Sequence, residues 1–159
     1  MKAELINPFI ESVQEVFETM LDVKATRGEV SISHENKGAG DILALIGLSG
    51  DTKGTVAVSF PKETALQVVG RITGTEFDSV DETVVDGIAE IINMIAGGAK
   101  AKLGTASGKP IDMGLPSVVR GSDFHIDYPK NTIWLEVPFD TDLGSFVMRV
   151  TFESNGTES

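Results

Sequence analysis

The chain contains no cysteine. Disulfides, thiolate metal sites and cysteine nucleophiles are therefore excluded together. Histidine is nearly as scarce, with only His34 and His125. Zinc centres draw on several His, Cys or carboxylate ligands at short spacing. Asp123 and Asp127 flank His125 two residues to either side, and strand alternation would put all three on one face. A carboxylate-rich strand face is more often simply solvated, so no metal is expected. Serine has no Gly-x-Ser-x-Gly elbow to sharpen it as a nucleophile. Basic residues are in short supply: Lys and Arg number 13 against 24 Asp and Glu, a net charge of −11. That argues against nucleic acid, whose phosphates need a basic surface, and against anionic lipid. No stretch approaches the roughly 18 consecutive apolar residues of a membrane span. The start, MKAELINPFIESVQEVF, has no uninterrupted apolar core of a signal peptide. A cytoplasmic protein is the expectation.

What remains is a chain of 159 residues with a 41% apolar fraction, enough for one domain with a core of its own. The expected domain covers residues 1–153, with 154–159 as a polar tail. Asn7-Pro8 predicts a helix start, with Asn7 as N-cap. Phe9, Ile10, Val13, Val16, Phe17, Met20 and Leu21 then recur at helical spacing. Val30 and Ile32 alternate with polar neighbours as a strand. Ile42–Leu48 and Thr55–Phe60 read as a hairpin across the turn formers 49–54. Pro61 opens a second helix that Gly74 stops. Ser79-Val-Asp-Glu82 has the spacing of a capping box. The third helix should run from there to about Leu103, with Gly104 ending it. The C-terminal part predicts strands at Ser117–Arg120, Asp123–Tyr128, Thr132–Pro138 and Ser145–Phe152. The fold class is therefore α+β: an antiparallel sheet of about six strands with three helices packed on one side, in two α-then-β halves.

One stretch imitates a phosphate loop. Gly104-Thr-Ala-Ser-Gly108-Lys109-Pro110 has one residue too few between its glycines and proline where Ser or Thr belongs. It also follows a helix instead of a strand. A connector is the better reading.

The long helix is more informative. At 100° per residue, with Glu90 at zero, Asp86 falls at about −40°, Asn93 at about −60° and Gly97 at about −20°. Ala101 falls at about +20°, Met94 at about +40° and Gly87 at about +60°. Val85, Ile88, Ile92, Ile95, Ala99 and Leu103 cluster on the opposite side. Exposed helix faces carry Glu and Asn as a matter of course. Yet an ordinary solvated face is full of Lys, Arg and Glu, and this one is nearly bare. Gly87, Gly97 and Gly98 together cost about 2–3 kcal/mol of helix propensity if all are interior. Small residues around a Glu-Asn pair give another backbone clearance, and Met94 adds an adaptable apolar contact. That describes a docking face with two projecting groups.

Asp86-x-x-x-Glu90-x-x-Asn93, then 22 residues, then Pro116, resembles the motif of the CheC/CheX/FliY chemotaxis phosphatases. The order of elements around it agrees over most of the chain. The motif occurs once, without a Glu-x-x-Asn on the first helix, so the chain is most similar to CheX. The resemblance implies a phosphatase acting on a phosphorylated CheY-like receiver domain. It assigns Asn93 to orienting the attacking water and Glu90 to pairing with the receiver's lysine. Asp86, Gly87, Met94, Gly97, Ala101 and Pro116 would line the docking face. No cofactor of the chain's own is implied; Mg²⁺ would sit on the receiver. CheX proteins are commonly dimers joined through sheet edges, so a homodimer is expected. A non-catalytic adaptor that grips a receiver or a flagellar-switch partner with the same face is the alternative.

Overall fold

The computed structural model describes residues 5–33, 41–50, 53–107, 111–121 and 133–152. The expected strand Asp123–Tyr128, both histidines, the end of the phosphate-loop imitation and the C-terminal tail lie outside them. Three helices are present: α1 (Asn7–Leu21), α2 (Lys62–Thr73) and α3 (Glu82–Ser107). The strands are β1 (Thr26–Arg27), β2 (Ser31–Ser33), β3 (Ile42–Gly50), β4 (Gly54–Phe60), β5 (Ile111–Met113), β6 (Ser117–Arg120), β7 (Trp134–Thr141) and β8 (Gly144–Phe152).

The helix ends show where local signals were outweighed. Asn7 does not cap α1; it is the first helical residue, and Ile6 precedes it without any side-chain cap. Ile6 is buried, so apolar anchoring sets this start, and its carbonyl accepts from the Phe9 and Ile10 N–H groups. Pro61 and Gly74 bound α2 as expected, with Gly74 left-handed at φ 72°. At α3 the capping box gives way to Asp81, whose Oδ1 accepts from the Val84 N–H at 3.0 Å. A carboxylate there satisfies an orphan donor and meets the positive end of the helix dipole. The far end runs past Leu103 to Ser107. Gly104 is not among the positive-φ glycines, so it makes no left-handed stop.

All described strands join one antiparallel sheet in the order β1-β7-β8-β4-β3-β5, with β2 also on β7 and β6 also on β3. The sheet is eight segments but six positions wide, because each edge is a broken strand. On one edge, Arg27 pairs Phe139 while Ser31 pairs Glu136. Three residues of the edge strand thus face two of β7, a one-residue bulge. Pro138 lies opposite it, and the Gly28 N–H donates to the Pro138 carbonyl at 2.8 Å. The missing proline N–H therefore falls where the ladder is already interrupted. The order reads alike from both ends: the edge strand of the first α-then-β half pairs with the second half, and the reverse.

Alternation in the long strands sends Ile42, Ala44, Ile46, Val56, Val58, Phe60, Val137, Phe139, Phe146, Met148 and Val150 into one core with the three helices. Phe146 is its aromatic hub, with ring centroids 4.9 Å from Phe17, 5.1 Å from Phe60 and 5.2 Å from Phe139. The opposite sheet face holds a smaller cluster of Leu43, Ala57 and Trp134. Arg149 and Glu136 pair at 2.7 Å across neighbouring strands.

Candidate active site on the third helix

Most sectors of α3 are spoken for by internal packing. The flank at about +80° to +140° faces α1. There Gly98 gives room to Ser12, whose Oγ lies where a Cβ on residue 98 would stand. Ser12 uses that room to donate to the Ile95 carbonyl at 2.6 Å, a buried bond between helices. On the same flank Lys102 reaches Glu15 at 2.7 Å and Glu11 at 3.7 Å. The Glu15 hydrogen bond, with the charges of Glu15 and Glu11, raises the Lys102 pKa above its ordinary 10.5. The floor, at about 160° to 240°, is Ile88, Ile92, Ala96, Ala99 and Leu103, all buried.

The glycines divide accordingly. A Cβ on Gly87 would stand 2.8 Å from both Val69 methyls, so this glycine seats α2. Gly98 seats α1. Only Gly97 of the three opens onto space, with nothing within 4 Å of a Cβ. The clearance expected from all three on the outer face belongs to Gly97 alone. Met94 is half-buried and packs against the core.

The remaining strip is outward. Asp86, Glu90 and Ala101 are exposed, and Asn93 and Gly97 are half-buried. Asp86, Asn93 and Gly97 lie on the side of Glu90 opposite the α1 flank, the side of the sheet edge formed by β5 and β6. That edge runs antiparallel to α3. The Arg120 Nη1 at its far end donates to the Val80 carbonyl just before the helix, at 3.0 Å.

The distance from Asn93 to Pro116 along the chain now has a physical reason. From Asn93 to Ser107 the helix travels roughly 21 Å at 1.5 Å per residue. From Ile111 to Pro116 the strand returns roughly 17 Å at about 3.3 Å per residue. Pro116, between the two segments β5 and β6 that both contact α3, is thereby returned to roughly the middle of the helix, the level of the Glu90–Asn93 turn. It is half-buried and sits in a second bulge. Leu48 pairs Met113 and Leu45 pairs Ser117, so Gly114, Leu115 and Pro116 face only Ile46 and Gly47. The Gly114 N–H donates to the Gly47 carbonyl at 2.9 Å. Leu115, which carried no sequence signal beyond its place between Gly and Pro, is 89% exposed.

Chemically the strip offers a carboxylate, an amide and clearance. No group of three or more His, Asp or Glu among the described residues is placed to hold a metal. No described helix is long and apolar enough to cross a membrane. A shallow groove along Arg27–Val30 lies at the opposite sheet edge. Glu4-Leu-Ile-Asn7 repeats the Glu-x-x-Asn spacing, a copy that reading the first helix from Asn7 onward passes over. Asn7 only begins α1 there, and Glu4 lies outside the described residues.

Solved structures place the class. A CheC-like superfamily protein from Shewanella sp. PV-4 superposes with a TM-score of 0.87 at 32% identity, covering 97% of this chain and 100% of that one. The CheX of a CheX-CheY-BeF3-Mg²⁺ complex from Borrelia burgdorferi gives 0.81 at 25% identity, covering 94% and 98%. The fold is thus that of the CheC-like superfamily. Within it, the family model for the chemotaxis phosphatase CheX matches residues 42–140, a span that includes Asp86, Glu90, Asn93 and Pro116. The CheY-P phosphatase CheX of Thermotoga maritima is 34% identical over 127 residues, 79% of this chain and 81% of that protein. The chain belongs to the CheX family.

Proposed function

We propose that this protein hydrolyses the aspartyl phosphate of a CheY-like response regulator, and that Asn93 and Glu90 carry the activity. The observation that carries the reading is the strip itself. Glu90 and Asn93 stand three residues apart on the outward strip of α3, away from the α1 flank and the buried floor, with Glu90 exposed and Asn93 half-buried. An aspartyl phosphate is an activated acyl phosphate. Its hydrolysis forms a bond from water oxygen to phosphorus and breaks the bond from phosphorus to the carboxylate oxygen. The carboxylate leaves as the anion, with inorganic phosphate. The reaction needs a water held in line and charge stabilised on the transferring group.

Mg²⁺ on the receiver would supply much of that charge stabilisation, in keeping with the metal named in the Borrelia complex. In this reading Asn93 enters the receiver's active site and orients the water through its amide. Glu90 pairs with the receiver's lysine and fixes the docked register. Asp86, Gly97, Ala101 and Pro116 border the contact. Gain in rate comes from positioning, so the chain needs no nucleophile or metal of its own. We place the activity in the cytoplasm, and a homodimer through a sheet edge belongs to the same reading. The β1/β2 edge, with Val30 and Ile32 exposed, is the better suited of the two.

The test follows the decay of a phosphorylated receiver with wild type, Glu90→Ala and Asn93→Ala. Wild type shortens the phosphoryl lifetime, Asn93→Ala abolishes turnover while still binding, and Glu90→Ala weakens binding most. Full activity in Asn93→Ala refutes the assigned roles. A wild type that binds the receiver without shortening the lifetime is an adaptor.

A further inference from the structure

We propose that Leu115 is an apolar anchor for the receiver, seated on an apolar patch beside its phosphorylated aspartate. It would set the affinity of docking and leave the chemical step unchanged. The inference rests on the phosphatase reading above and adds a contact that neither the helix motif nor its distant proline contains.

Leu115 is the most exposed large apolar side chain among the described residues, at 89% against 57% for the next, Ile32. Single exposed apolar residues are ordinary on protein surfaces, so its setting matters more than its exposure. The bulge holds it firmly. Register is fixed on both sides by pairing with β3, the Gly114 N–H is bonded to Gly47, and Pro116 fixes its own φ. A leucine raised on a rigid ledge loses little freedom when it is covered.

The ledge also lies in the right place. The return path of the chain brings residues 114–116 to roughly the level of the Glu90–Asn93 turn, on the flank of α3 toward which Asn93 and Asp86 lean. A partner whose active site is entered by the Asn93 amide must cover this flank. Gly97, open on the same flank, lets that partner approach. A second copy of this chain is the less suitable occupant. Pro116 has no N–H to donate and the bulge twists the edge, two features that oppose strand-to-strand pairing.

The experiment compares wild type, Leu115→Ser, Leu115→Met and Asn93→Ala. It measures kcat and KM on a phosphorylated CheY-family receiver, affinity for the beryllofluoride-treated receiver, and mass by light scattering. Leu115→Ser is expected to raise KM and Kd about tenfold or more, with kcat within about twofold, in line with the burial of one leucine side chain. Leu115→Met is expected to stay within about threefold of wild type. Unchanged KM and Kd in Leu115→Ser overturn the anchor. So does a change of mass with unchanged KM, which gives the surface to a second copy. A wild type without phosphatase activity sinks the functional reading instead. The anchor then stands or falls on whether Leu115→Ser weakens binding to the beryllofluoride-treated receiver.

Discussion

Gly97→Ala and Gly98→Ala add the same methyl to adjacent residues of one helix, and the structure gives them opposite signs. At residue 97 nothing lies within 4 Å of the new Cβ. The change gains helix propensity of about 0.8–1 kcal/mol and removes conformational freedom from the unfolded chain. At residue 98 the Cβ meets Ser12 Oγ, with Ser12 Cβ behind it at 3.3 Å. Overpacking of this kind costs about 1–3 kcal/mol. Displacing Ser12 from the Ile95 carbonyl leaves a buried hydroxyl unpaired, about 1–3 kcal/mol more. Against the propensity gain, Gly98→Ala should destabilise by about 2–3 kcal/mol.

Thermal unfolding resolves the difference easily. Separated by about 3 kcal/mol, the two variants should differ in melting temperature by roughly 6–12 °C for a domain of this size. Ser12→Ala supplies the internal control. It removes the atom in closest conflict, so Ser12→Ala/Gly98→Ala should be more stable than the summed single effects by about 1 kcal/mol or more. If Gly98→Ala is neutral or stabilising, or if the cycle shows no coupling, the packing argument for that glycine is wrong.

Three further outcomes follow from the same geometry. Gly87→Ala drives a methyl to 2.8 Å from both Val69 methyls and should destabilise by about 1–2 kcal/mol, a loss that Val69→Ala partly relieves in the double variant. Gly144→Ala meets both a φ of 124° and the side chain of Thr64, and should lose about 2–4 kcal/mol from backbone strain and crowding in the same unfolding assay. Lys102, whose pKa is raised above 10.5, contributes stability that is present in full below that pH and fades as pH rises through the folded value. Stability differences between wild type and Lys102→Met should therefore be flat from about pH 7 to 9 and vanish in stronger base.

Much of the fold was legible because it rests on periodicities contained within single segments. The alternation of β7 and β8 and the Pro61 to Gly74 bounds of α2 needed no partner to interpret. The segments Thr26–Arg27 and Ile111–Met113 were not legible. Two or three residues carry no period, and they are strands only because β7 and β3 pair with them. Both bulges were invisible for the same reason, since a bulge is a mismatch between two strands. The site divides along this line. Glu90 and Asn93 could be placed on one strip from the 3.6-residue period alone. What Gly87 and Gly98 face could not, because that depends on where α1 and α2 lie around the helix. Leu115 was hidden doubly, on a bulge and on an edge.

The sectors of α3 separate stability from chemistry. Gly98, Ile95 and Lys102 tie the helix to α1, Gly87 ties it to α2, and the buried floor ties it to the sheet. Glu90 and Asn93 take part in none of these ties. Asn93 is a mediocre helix former, about 0.6 kcal/mol worse than Ala, at a half-exposed position where packing does not require it. Asn93→Ala should therefore be as stable as wild type or slightly more stable while losing phosphatase turnover. A residue selected against stability and for reaction leaves this signature. Were Asn93→Ala to unfold more easily, the amide would have an internal partner and the strip would not be free to enter another protein.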